Sequence, residues 1–126
     1  MDFFELTIEV EFCASHILEG HSGKCANLHG HNYKTEVCIS GNKLNNLGIL
    51  VDFADIKKAV NNVVDLTLDH KHINDIDYPP FKKGQTSAEN IAKYIYEKLE
   101  SFFTEEKVEY VRIWETSKYS VKYSKK

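Results

Sequence analysis

The chain has no long apolar run, no cationic leader and no surplus of basic charge, and each absence removes a class of protein. The N-terminus MDFFELTIEV interleaves Glu5 and Glu9 with apolar residues. That fits neither a secretory signal nor a membrane span, so a cytoplasmic protein is expected. Net charge is −3 with acids and bases mixed, and only the KYSKK tail is locally basic, so no cationic face for nucleic acid is expected. Cysteine is scarce and odd in number, three in all, which argues against a disulfide framework and for free thiols with separate roles. Two prolines and six glycines are too few for a fibrous or disordered chain.

What is present is a folded composition, 42% hydrophobic and 12% aromatic, in 126 residues. That length supports one core, and a single domain over 1–126 is expected. Residues 3–16 alternate strictly, with Phe4, Leu6, Ile8, Val10, Phe12, Ala14 and His16 on one phase and Glu5, Thr7, Glu9 and Glu11 on the other. This is the pattern of a half-buried strand. Residues 31–40 repeat it, with His31, Tyr33, Thr35, Val37 and Ile39 on the apolar phase, and predict a second strand antiparallel to the first. The link between them is polar and too long for a tight hairpin, so it reads as an exposed functional loop.

In VDFADIKKAVNNVVDL, Asp52 caps a helix whose Phe53, Ile56, Val60, Val63 and Val64 recur at helical spacing. LDHKHINDIDYPPFKKG reads as a loop, and Thr86 or Ser87 then caps a second helix striped by Ile91, Ile95, Leu99 and Phe102. VEYVRIWE and YSVKY read as two closing strands. The order is ββααββ, an α+β fold with an antiparallel sheet and two helices on one face. Its open strand edges favour oligomerisation through the sheet.

The stretch CANLHGHNYK carries the chemistry. His29 and His31 are two apart, so on a strand both imidazoles project to one side. His16 continues the apolar phase of the first strand as His31 opens that of the second, so pairing would bring three histidines together. Three nitrogen donors without a fourth protein ligand describe a catalytic zinc site, which keeps one position open. The competing reading is ordinary surface histidines at strand ends.

Cys25 stands four residues before His29 and could be a fourth ligand, a nucleophile or a base, with Lys24 and a nearby dication favouring its thiolate. Cys13 and Cys38 read as small packed or half-exposed thiols. Asp69 and His70 form a pair able to relay protons, although such a dipeptide in a solvated loop is usually nothing more. Glu115 shares the phase of Val111 and Ile113, so its carboxylate could meet a planar ligand with adjacent N–H donors; a surface salt bridge is its commoner fate.

Taken in order, FCASH, GKCANLHGHNYK, GILVDFADIK, LDHKHIN, TSAEN and WETSKYSVKY resemble the 6-pyruvoyltetrahydropterin synthase / 6-carboxytetrahydropterin synthase family over nearly the whole chain. The resemblance implies the tunnelling fold (T-fold), with sheets joined into trimeric barrels that stack in pairs as homohexamers. It implies one Zn2+ per subunit on His16, His29 and His31, a catalytic set of Cys25, Asp69 and His70, and a pterin held by Glu115 with help from the Thr86 and Ser87 region. Pockets shared between subunits and a small-molecule pterin triphosphate substrate also follow from it, with neither nucleic acid nor membrane as a partner.

Two departures are that Ser87 stands where the family often has Thr, and that His72 occupies a variable position. The family's two branches differ between cysteine and histidines: the tetrahydrobiopterin enzymes resemble C-x5-H-G-H and the queuosine-pathway enzymes C-x3-H-G-H. This chain has the shorter form. The resemblance thus implies a lyase of the 6-carboxy-5,6,7,8-tetrahydropterin synthase kind, with the 6-pyruvoyl reaction as the alternative. A non-catalytic pterin-binding protein is the alternative of another class.

Overall fold

The computed structural model describes residues 2–23 and 27–126. Two long strands come first, β1 (Phe4–His16) and β2 (His29–Gly41), followed by helix α1 (Phe53–Thr67). A two-residue strand β3 (Lys71–His72), a 3-10 turn (Ile73–Asp75) and a one-turn helix α2 (Pro79–Lys82) lead to α3 (Ala88–Glu100). Strands β4 (Lys107–Trp114) and β5 (Ser120–Tyr123) close the fold. The expected ββααββ frame stands, and the intervening segment is more ordered than the loop read from its sequence. Two residues are too few for an alternation to register, and β3 exists only because β1 offers it an edge.

The sheet order is β3-β1-β2-β4-β5, antiparallel except for the short β1–β3 pair. β1 and β2 pair along their whole length, from Phe4 opposite Gly41 to His16 opposite His29. Helices α1 and α3 lie together on one face, α1 against β1 and α3 against β4 and β5. Asp52 caps α1 by accepting from the Ala54 N–H, and Ser87 caps α3 by accepting from the Asn90 N–H, each satisfying a donor that the first helical turn leaves open.

The core between helices and sheet is built from Phe12, Tyr33, Val37 and Ile39 of the long strands, Ile56, Val60 and Val64 of α1, and Ile91, Ile95 and Leu99 of α3. On the opposite face Cys38 and Ser40 are buried as well, under side chains that the polar phase supplies. Ser40 donates to Glu109 at 2.6 Å, Tyr110 donates to Glu36, and the Cys38 thiol points at Glu5. Burial first, and then the neighbouring carboxylates, push the Cys38 thiol up to about 12.

Candidate metal centre

The β1–β2 register sets His16 opposite His29 and Ala14 opposite His31, so the inward phases of both strands finish at one end of the sheet on three imidazoles. Their ring centroids lie 4.4, 5.3 and 4.7 Å apart, and one ligand atom from each falls within 4.8 Å of the others. His16 is buried; His29 and His31 are half-buried. Among the described residues no other His, Cys, Asp or Glu joins the group.

Hydrogen bonds fix which nitrogens of His16 and His29 carry the hydrogen, and the Tyr33 hydroxyl lies 3.4 Å from His16 Nε2. His16 Nδ1 lies 2.7 Å from the Thr86 carbonyl, and His29 Nδ1 lies 2.7 Å from the Asn27 carbonyl. A carbonyl only accepts, so both Nδ1 atoms carry the hydrogen and both Nε2 atoms carry a lone pair. Those two Nε2 atoms are 2.9 Å apart. Two lone pairs cannot bond one another, and the contact is favourable only with a cation shared between them. His31 Nε2 is buried without a hydrogen-bond partner among the described residues. Glu115 Oε2 approaches it to 3.9 Å, outside hydrogen-bond range.

Main-chain carbonyls orienting the rings from behind are the usual outer shell of a histidine metal ligand. Burial holds both rings neutral: the His16 imidazole is lowered to about 4 and that of His31 is also lowered, with burial the main cause in each and the Glu115 carboxylate opposing it at His31. Neutral, oriented nitrogens are what a transition-metal cation requires, and this donor set fits one.

An open groove of about 640 Å³ runs past His31, lined by Cys13, Ser15 and Asn32 on one side and His70, Lys71 and His72 on the other. Asp69 and His70 meet at its rim, with Oδ2 3.0 Å from Nδ1. Asp69 Oδ1 accepts from the Cys13 N–H at 2.9 Å, and that bond is the largest reason its carboxyl sits below the usual carboxylate range. His70 has a φ of 59°, the one non-glycine left-handed residue among those described, and its N–H donates to the Cys13 carbonyl at 2.6 Å. Strain of this kind persists where surroundings over-determine it. Glu115 lies on the other side of the histidines, in a smaller cavity with Ala88, Glu89 and Tyr119.

The structure therefore brings His16, His29 and His31 together with Glu115 beside His31, and places His70, paired with Asp69, on a groove whose lining includes His31. Cys25 falls outside the described residues. Thr86 and Ser87, whose region the resemblance places beside the pterin, have hydroxyls engaged in hydrogen bonds within the chain. Thr86 is fully buried, its hydroxyl donating to the Ile17 carbonyl at 3.0 Å, and Ser87 caps α3. The support Thr86 gives to His16 leaves no trace in the sequence, because the two residues are 70 apart and only folding joins them.

The fold and the site together define the class: a tunnelling-fold α+β domain with three inward histidines able to hold a metal ion. More narrowly, the chain belongs to the 6-pyruvoyl tetrahydropterin synthase family, whose sequence pattern matches residues 5–126. It is 33% identical over 135 aligned positions to the 6-carboxy-5,6,7,8-tetrahydropterin synthase of Haemophilus influenzae, covering 90% of this chain and 93% of that one. It is 37% identical over 103 positions to the 6-pyruvoyl tetrahydrobiopterin synthase of Poecilia reticulata, covering 80% of this chain and 69% of that protein. The structure of Caenorhabditis elegans 6-pyruvoyl tetrahydropterin synthase superposes with a TM-score of 0.85 at 32% identity, over 100% of this chain and 98% of that one.

Proposed function

We propose that this protein is a 6-carboxy-5,6,7,8-tetrahydropterin synthase. It would convert 7,8-dihydroneopterin triphosphate to 6-carboxytetrahydropterin, releasing acetaldehyde and triphosphate, on the route to 7-deazaguanine and queuosine. The observation that carries the reading is the convergence of the three imidazoles at one end of the sheet, with one ligand atom from each within 4.8 Å of the others, together with the Asp69–His70 pair. The three-residue spacing from Cys25 to His29 favours the carboxy branch over the 6-pyruvoyl branch.

His16, His29 and His31 would hold one zinc ion per subunit, and the chemistry zinc supplies when bound is Lewis acidity toward a substrate oxygen. Glu115 accepts hydrogen bonds from the pterin amino and ring N–H groups, which fixes the ring and leaves its side chain toward the histidines. Any help from Thr86 and Ser87 comes through the main chain, since both hydroxyls are already engaged. The Cys25 thiolate moves a proton between side-chain carbons. Asp69 Oδ2 holds His70 at Nδ1 and leaves Nε2 to exchange a proton on the groove side. The open edges of strands β3 and β5 favour association between subunits, for which the family resemblance implies a homohexamer, a dimer of trimers with pockets at subunit interfaces, and the protein would act in the cytoplasm. No helix among the described residues is long and apolar enough to cross a membrane.

The test is to incubate zinc-loaded protein with dihydroneopterin triphosphate and identify the product by mass. The carboxy product is expected; the pyruvoyl product would move the chain to the other branch, and no product would leave a pterin-binding protein. His31→Ala should lose zinc and turnover together, whereas Cys25→Ala should keep zinc and lose turnover.

A further inference from the structure

His16 is the last residue of β1, and at the next residue, Ile17, the main chain leaves its ladder with β2. A side-chain amide takes the place of the missing strand. Ile17 N–H donates to Asn74 Oδ1, and Asn74 Nδ2 donates to the Ile17 carbonyl, both at 2.9 Å. A main-chain N–H only donates and a carbonyl only accepts, so this pair fixes the orientation of the amide. The same carbonyl accepts from Thr86 Oγ1 at 3.0 Å, while the carbonyl of Thr86 accepts from His16 Nδ1 at 2.7 Å. One residue earlier, Ser15 Oγ and His72 Nδ1 lie 2.9 Å apart and fasten the same strand end to β3.

We propose that Asn74 is a positioning residue for the metal centre: its two-point clamp on Ile17 holds the end of β1 so that His16 presents Nε2 toward His29 and His31. The proposal rests on the reading of these histidines as metal ligands. Both groups of Ile17 that Asn74 engages belong to the strand end that carries His16, and the bonds are part-buried, so water is a poor substitute. A strand end without its clamp samples other directions, and His16 then forfeits its bond to the Thr86 carbonyl. Partners that orient ligating histidines change metal affinity by about ten- to a hundredfold, and one acting through the main chain belongs at about tenfold.

Two variants separate positioning from general support. Asn74→Ala removes both bonds; Asn74→Asp keeps the size and the acceptor for Ile17 N–H but sets an oxygen against the Ile17 carbonyl. Zinc affinity is read by competition with a chromophoric chelator, and the geometry of the ligand set by the visible absorption of the Co2+-loaded protein. In metal-free protein, long-range 15N–1H NMR reads which nitrogen of His16 bears the hydrogen, and urea unfolding reads stability separately.

Expected are about tenfold weaker zinc in either variant, an altered Co2+ spectrum, and loss of the single Nδ1–H form of His16. The proposal is overturned if Asn74→Asp, or both variants where Asn74→Ala folds, bind zinc and cobalt like the parent and keep His16 as Nδ1–H. Lower urea stability with those readouts unchanged would make Asn74 a loop brace only. Should the parent protein take up no metal, the metal reading fails by itself, and the tautomer measurement still decides the clamp.

Discussion

Acidifying the metal-free protein should destabilise it through His16. The free imidazole titrates near 6.5, and in the folded protein burial lowers it to about 4. Between these values the unfolded chain carries a proton that the folded chain refuses. The unfolded state then binds more protons, so stability falls as pH falls through that window and is fully present above it. Integrated from about pH 7.5 to about pH 4.5, this single ring removes about 2–3 kcal/mol. His31 is shifted in the same direction and adds to the loss.

With a urea slope of about 1–3 kcal/mol per molar, the unfolding midpoint should drop by about 1–3 M. Carboxylates titrate over part of the same range, so the informative comparison is with His16→Asn. That variant can still donate to the Thr86 carbonyl but has no proton to gain. Its midpoint should fall less with acid, by the contribution of one histidine. Parallel pH curves for parent and variant would refute the assignment of the shift to a buried, neutral His16.

In a Cys25→Ala background, a thiol reagent near neutral pH should label Cys13, which is exposed, rapidly, and Cys38, buried with its thiol pushed up to about 12, only after denaturant; two fast thiols would contradict the packing around Glu5. Ser87→Ala should destabilise the protein by about 1 kcal/mol, lowering the melting temperature by about 3–5 °C, because the α3 cap is lost. The KM for the pterin triphosphate should not change, and a raised KM would show that the hydroxyl also serves the substrate.

Much of this arrangement was legible in the linear chain wherever a period repeats. Thirteen residues of β1 alternate without a break, so the face occupied by His16 follows from counting, and the same holds for His31 in β2. Asp52, and the pair Thr86 and Ser87 of which Ser87 is the cap, announced both long helices because an oxygen beside an unsatisfied N–H is a local event. β3 left no such trace, and the burial of Cys38 and Ser40 on a polar phase depends on Glu5 and Glu109 arriving from other strands.

The sequence by itself therefore determined the four longer strands and the two long helices, the inward phase of the three histidines and the spacing that separates the family's two branches, since all of these are carried by neighbours along the chain. Only the tertiary structure decided that Thr86 turns away from solvent to orient His16, that Asn74 grips Ile17, and that Glu115 stands 3.9 Å from His31. Each of those joins residues more than fifty positions apart. No local propensity encodes such a contact, which exists only once the sheet and both helices have closed around a common core.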